Sequence, residues 1–213
     1  MPLLLQQNIH PAGELGLWRI TEQEEWFLEH VTLSRSEENQ LATIKGRRRV
    51  EWLAVRKLVH QMSGRNFRGS FIKDEFGKPH LDESPFHISI SHSWNLAAAI
   101  AAPMPVGIDI QRLVGKIERL APRFMNPDEL AALQPATRLE QMHVYWGAKE
   151  ALYKAYGRRE LDFCENILVE PFTFDLKVGK CRGVVRKGNY EGYFTIFYRQ
   201  VNTYILVYVV EGG

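Results

Sequence analysis

Pro103-Met104-Pro105-Val106-Gly107-Ile108-Asp109-Ile110-Gln111 divides this chain and decides its fold class. Two prolines one residue apart punctuate the middle of the sequence, where a regular element cannot continue. The residues that follow alternate as a strand: Val106, Ile108 and Ile110 face one way, and Gly107, Asp109 and Gln111 the other. On the N-terminal side, strands are expected at Leu15–Ile20, Phe86–Ser91 and Leu96–Ala101, the last two joined by a polar turn at His92–Asn95. Thr21-Glu22-Gln23-Glu24 resembles a capping box opening a helix. A longer helix is predicted from Gln40 to Met62, where Val50, Leu53, Ala54, Leu58 and Met62 recur at helical spacing and Ser63-Gly64 stops it.

On the C-terminal side, a helix opens at Pro127 behind Asn126 as N-cap, and another runs from Thr137 to Tyr156 and ends at Gly157. The tail reads as strands over Phe172–Val178, Gly192–Arg199 and Thr203–Val210. Helices and strands mix without a regular βαβ beat, so the class is α+β. Two halves, 1–104 and 105–213, are the expected domains.

The 213 residues are 45% hydrophobic and 24% charged, with a net charge of +2, which excludes a disordered chain and a general nucleic-acid or membrane-surface binder. No apolar run approaches the roughly 20 residues that span a bilayer. Met1-Pro2-Leu3-Leu4-Leu5 lacks the basic n-region of a signal peptide. Cys164 and Cys181 make no disulfide framework and read as free thiols in a reducing cytoplasm.

Five segments could carry chemistry. In Trp146-Gly147-Ala148-Lys149-Glu150-Ala151-Leu152-Tyr153-Lys154, helical spacing puts Trp146, Glu150 and Lys154 on one face. Asp109, beside Gly107 on a strand face, is sterically open, and with Glu150 it forms an all-oxygen pair suited to Mg²⁺. Ser89-Ile90-Ser91-His92-Ser93 ends a strand in hydroxyls and an imidazole that can donate to an anion. Phe76-Gly77-Lys78-Pro79 reads as a turn. Lys45, Arg47, Arg48, Arg49, Arg56 and Lys57 form a basic run, read either as a solvated helix face or as a phosphate site. Taken singly, each segment also has an ordinary structural reading.

Their order is more specific than any one of them. An arginine-rich helix, Gly-Lys-Pro, Ser-His-Ser, Gly-Ile-Asp and Trp-x-x-Lys-Glu-x-x-x-Lys resemble the 4′-phosphopantetheinyl transferases of the larger, surfactin-synthetase-activating type. The resemblance runs from about Arg48 to Lys154, and Arg123-Phe124-Met125-Asn126-Pro127-Asp128-Glu129 also fits it.

That resemblance implies a pseudo-dimer of two similar α+β halves, each a small, mostly antiparallel sheet packed on helices, with the ligand site at their interface. It implies Mg²⁺-dependent transfer of the phosphopantetheine arm of coenzyme A to a serine of an apo acyl or peptidyl carrier protein, releasing adenosine 3′,5′-bisphosphate. Mn²⁺ is an alternative metal, and a monomer suffices.

By motif position, Asp109 and Glu150 would hold the metal and Glu150 would be the base. Lys154 would neutralise phosphates. Arg48, Arg56, Ser91 and His92 would receive the 3′-phosphate, with Lys78 near the adenosine. Many relatives carry a second acid where this chain has Gln111, which would ligate the metal directly or through water. Lys116, Arg119 and Arg123 are expected to face an acidic carrier. Three other readings are a metal-dependent phosphohydrolase or nuclease, a non-catalytic module that binds coenzyme A or the carrier, and an inert structural α+β domain, which leaves the ordered motifs unexplained.

Overall fold

The computed structural model describes residues 2–176 and 178–212; Met1, Lys177 and Gly213, which fall within the opening segment, an expected strand and the second half, lie outside the described residues. The chain divides into two compact units, Met1–Pro103 and Met104–Gly213. Each combines antiparallel sheet with helices, so the α+β class holds.

The first unit contains, in chain order, β1 (Leu3–Asn8), β2 (Glu14–Arg19), α1 (Glu24–His30), α2 (Arg35–Thr43), α3 (Arg48–Ser63), β3 (Phe71–Lys73), β4 (Pro79–Leu81), β5 (His87–Ser93) and β6 (Leu96–Ala102). Its main sheet has the order β1-β2-β6-β5, and β3 and β4 form a separate hairpin. α3 packs across β2 and β6. The alanines of β6 and Gly16 of β2 keep that face low: a Cβ on Gly16 would lie 2.7 Å from Met62 Sδ and 2.8 Å from Leu58 Cδ1. Phe27, Leu53, Ala54 and Leu58 are fully buried there, each large side chain adding about 1.5–3 kcal/mol of burial.

Three expectations for this unit are corrected. The single helix predicted over Gln40–Met62 is two helices, because the chain turns at Gly46, which takes φ +60°. Arg49 then donates to the carbonyls of Leu41 (2.6 Å) and Ile44 (3.2 Å), which closes the end of α2. Thr21 opens no capping box; Glu22 accepts instead from its backbone N–H, and the capping box of this unit is Ser34 with Glu37, at the start of α2. His92 and Ser93 belong to β5 rather than to the turn, which is centred on Trp94 at φ +54°.

The second unit contains β7 (Val106–Arg112), α4 (Ile117–Leu120), α5 (Pro127–Ala131), α6 (Arg138–Tyr156), β8 (Ile167–Val169), β9 (Gly179–Lys187), β10 (Tyr190–Val201) and β11 (Tyr204–Glu211). One antiparallel sheet results, ordered β7-β11-β10-β9-β8. α6 lies on β7 and β11. It ends where Gly157 adopts φ +72°, and α5 starts from a capping box between Asn126 and Glu129.

The strand expected at Phe172–Val178 is absent among the described residues; the ladder is built by β8 and β9 on either side of it. Alternating Phe172 and Phe174 reflect ring packing rather than pairing. Phe172 meets Tyr145 and Tyr198 at 5.1 and 5.2 Å between centroids, and Phe174 stacks on Tyr198 at 5.6 Å. No helix among the described residues is long and apolar enough to cross a membrane.

Candidate functional site

In the second unit, β7 and α6 run against each other along two facing stripes. On the strand these are Gly107, Asp109 and Gln111; on the helix they are His143, Gly147, Glu150 and Lys154, at helical spacing. Close approach is possible because Gly107 has no side chain: a Cβ there would overlap the carbonyl of Ala151. A Cβ on Gly147 would likewise press on Val207 of β11 at 2.7 Å.

This approach brings three of the predicted residues together. Lys154 Nζ donates to Asp109 Oδ1 at 2.8 Å and to the Ile108 carbonyl at 2.9 Å. Asp109 is buried and Glu150 half-buried. Burial raises the Glu150 carboxyl above its ordinary range, Lys154 pulls it back down, and the nearby Asp109 raises it further. Two carboxylates share one ammonium here, so the cluster has a net negative charge that favours a further cation.

The donor set fits Mg²⁺, a hard cation that takes one or two carboxylates and completes its shell with water and phosphate oxygens. Among the described residues no group of three or more His, Cys, Asp or Glu is arranged to hold a metal. Asp109 and Glu150 are the two carboxylates of this contact that could hold such a cation.

Gln111 lies on the same strand face, but its amide is engaged. Its Nε2 donates to the His143 carbonyl at 2.9 Å, and its Oε1 lies 3.1 Å from His143 Nδ1. His143 was not identified from the sequence. It is buried, and that burial lowers its pKa and favours the neutral ring.

The other lysine of the Trp-x-x-Lys-Glu motif plays a different part. Lys149 is fully buried, with Nζ 2.8 Å from Glu129 Oε2 and 2.7 Å from the carbonyls of both Phe163 and Ile167. Glu129 in turn accepts from the Val169 and Asn126 backbones. Burial pulls the Lys149 pKa down against the pull of Glu129. Trp146 anchors the start of the motif, edge-on to Phe124 at 5.0 Å.

The first unit holds the residues predicted for the nucleotide. Of the three consecutive arginines, Arg47 donates to the Trp94 carbonyl (3.1 Å from Nη2) and Arg49 pairs with Glu24 at 2.6 Å. Arg48, at the first turn of α3, is exposed and makes no hydrogen bond or ion pair with a described residue. His92 Nδ1 lies 3.1 Å from Glu51 Oε2, and Arg47 Nε lies 3.7 Å from the other oxygen of Glu51. Arg47, Glu51 and His92 thus form one cluster at the start of α3; Glu51 was missed because a lone acid in a basic run gives no signal.

Ser91 and His92, as neighbours on a strand, project to opposite faces, so the structure does not gather them on one surface. Lys78 sits in the turn between β3 and β4, its backbone N–H donating to Asp74 Oδ1 at 2.9 Å.

Arg56 is only 3% exposed and pairs with Glu37 at 3.1 Å, with its guanidinium 3.1 Å from the centroid of Trp52. Arg68 also binds Glu37. Burial drops the Arg56 pKa to about 10 despite Glu37. Its guanidinium is thus already satisfied inside the unit.

A family match falls within the second unit. The model of the 4′-phosphopantetheinyl transferase superfamily matches residues 105–194. The chain is 33% identical over 110 residues to 4′-phosphopantetheinyl transferase gsp of Aneurinibacillus migulanus, covering 50% of this chain and 46% of that one. It is 33% identical over 109 residues to 4′-phosphopantetheinyl transferase psf-1 of Bacillus pumilus (49% and 47% covered). A 4′-phosphopantetheinyl transferase of Bacillus subtilis is 32% identical over 93 residues, 42% of each chain. The chain spans about half the length of these curated relatives. Residues 105–194, which contain Asp109, Glu150 and Lys154, are thus similar to the 4′-phosphopantetheinyl transferase superfamily, the family the motifs resemble.

Proposed function

We propose that this chain transfers the 4′-phosphopantetheine arm of coenzyme A to a serine hydroxyl of an apo acyl or peptidyl carrier protein, with Mg²⁺, releasing adenosine 3′,5′-bisphosphate. The observation that carries this reading is the convergence of Asp109, Glu150 and Lys154 along the contact of β7 with α6, inside the family match.

Bound Mg²⁺ would supply positive charge at the pyrophosphate as the phosphoanhydride breaks. Asp109 and Glu150 are its protein ligands in this reading. Lys154 bonds Asp109, and its ammonium would share the charge that builds on the departing bisphosphate. Glu150 would take the serine proton directly or through a water.

In the first unit we assign the 3′-phosphate to Arg48 and His92, with Lys78 toward the adenosine; Ser91, buried on the opposite face of β5 from His92, is left out. Arg56 is left out of that set because Glu37 already holds it. The nucleotide contacts proposed here would thus belong to residues 1–104, and the metal and transfer chemistry to residues 105–213. Lys116, Arg119 and Arg123 would meet the carrier. A monomer in the cytoplasm suits this reading, and Cys164 and Cys181 are both free thiols.

The test is intact mass spectrometry of several unrelated apo carrier proteins incubated with the chain, coenzyme A and Mg²⁺. A mass gain of one phosphopantetheine arm, lost with EDTA and with Glu150→Ala, supports transfer. Coenzyme A binding without any gain supports a binding module instead, and phosphate release from coenzyme A in water alone supports a phosphohydrolase.

A further inference from the structure

Gln111 and His143 form a closed set of hydrogen bonds whose direction follows from one acceptor. The His143 carbonyl can only accept, so the amide nitrogen of Gln111, 2.9 Å away, faces it. Gln111 Oε1 therefore faces His143 Nδ1, and Nδ1 carries the ring proton. Nε2 lies just past the end of β7, 3.0 Å from the Val114 N–H, from which it accepts in this tautomer, and 3.2 Å from the Val114 carbonyl, to which it then donates nothing. One imidazole thus ties α6 to the strand and to the turn that follows it.

Lys154 bonds α6 to Asp109 and to the Ile108 carbonyl toward one end of the contact, and His143 with Gln111 bonds the two elements toward the other. Gly107 and Gly147 let β7 and α6 touch, but glycines provide no knobs to fix how far one element has slid along the other. Apolar burial is non-directional, whereas hydrogen bonds are directional. His143 lies on the same helix stripe as Glu150, and Gln111 on the same strand face as Asp109. A slide of the strand would move Asp109 relative to Glu150.

We propose that His143 is a positioning residue: through Gln111 it sets the register of β7 on α6, and so the spacing of the Asp109 and Glu150 carboxylates. Gln111 then serves by fastening the strand rather than by charge. This inference rests on the metal-dependent reading of the site.

The test measures Mn²⁺ affinity of the full chain in the presence of coenzyme A, from the free-Mn²⁺ electron paramagnetic resonance signal, well below each variant's melting temperature. Gln111→Leu and His143→Leu are each expected to weaken binding by about 10–100-fold, the range for residues that orient metal ligands. The double variant should be no weaker than the worse single, since one clamp is lost only once. His143→Asn, which keeps an N–H donor toward Gln111, should recover most of the affinity.

Loss in Gln111→Leu alone would overturn the proposal by showing that Gln111 acts without His143. A fall in melting temperature with unchanged Mn²⁺ affinity in both would reduce the pair to packing and also overturn it. Those two outcomes leave the proposed function standing; a wild type that binds no Mn²⁺ would remove the proposed function and this inference together. Imidazole ¹⁵N spectra of the wild type provide a readout that needs no folded variant: the Nδ1–H tautomer is expected at His143, and an Nε2–H tautomer would overturn the clamp.

Discussion

Gly107 is packed so tightly against Ala151 that any side chain on the strand residue would overlap the helix carbonyl. The contact lies two residues from Asp109 and beside Glu150, so its tightness holds the acidic pair in place.

Gly107→Ala should therefore be costly out of proportion to one methyl group. Backbone has to move, and overpacking of this kind costs about 1–3 kcal/mol or more. Melting temperature and carrier modification should fall together. A variant as stable and as active as the wild type would mean that the strand and helix are free to separate.

The two lysines of the motif should fail in different ways. Lys149→Met strands Glu129, which is 3% exposed at its side chain, and should cost about 3–5 kcal/mol of stability. Lys154→Met leaves a partly exposed site short of one ammonium; it should cost about 10²–10³ in kcat/KM for coenzyme A with a smaller loss of stability. Urea unfolding and steady-state kinetics on both variants separate the two roles, and the reverse pattern would refute the assignment.

Acid should weaken the first unit through Glu37. Burial pushes this carboxyl up, but its hydrogen bonds to Arg68 and to the Ser34 and Phe71 backbones outweigh that, leaving it below the ordinary 4.5. The unfolded chain therefore binds more protons between the two values. The contribution is present above pH 4.5 and is lost as pH falls through the folded value. Glu37→Gln should flatten that acid limb and, at neutral pH, cost about 3–5 kcal/mol by leaving Arg56 and Arg68 uncompensated. Urea titrations across the acid range give the comparison; parallel curves for the two proteins would contradict it.

Tyr145→Phe should be harmless or stabilising by about 1 kcal/mol. The tyrosine is fully buried, and its hydroxyl has no hydrogen-bond partner among the described residues. Removing the hydroxyl spares its desolvation while the ring contact with Phe172 stays. A clear drop in melting temperature would point to an ordered water bound at that hydroxyl.

Much of the candidate site was legible because its signals are local. The alternation of Val106–Gln111 placed Asp109 and Gln111 on one strand face, and helical spacing aligned Glu150 with Lys154. The capped start at Asn126 and the stop at Gly157 depend on residues within one turn. Errors arose where a local pattern had a cause other than the element it suggested. Phe172 and Phe174 alternate like a strand yet pack their rings on Tyr198. The helical spacing across Gln40–Met62 continues through a break that Gly46 makes.

The sequence by itself determined the α+β class, the order of the motifs and the residue types of the acidic pair, since period, caps and turn chemistry act over a few residues. Only the tertiary structure decided which charges and amides are already partnered. Arg56 belongs to Glu37, Lys149 to Glu129 and Gln111 to His143, whereas Arg48 remains exposed at the start of α3. The physical reason is that a partner is chosen by which elements pack together, and packing joins residues that are distant in the chain.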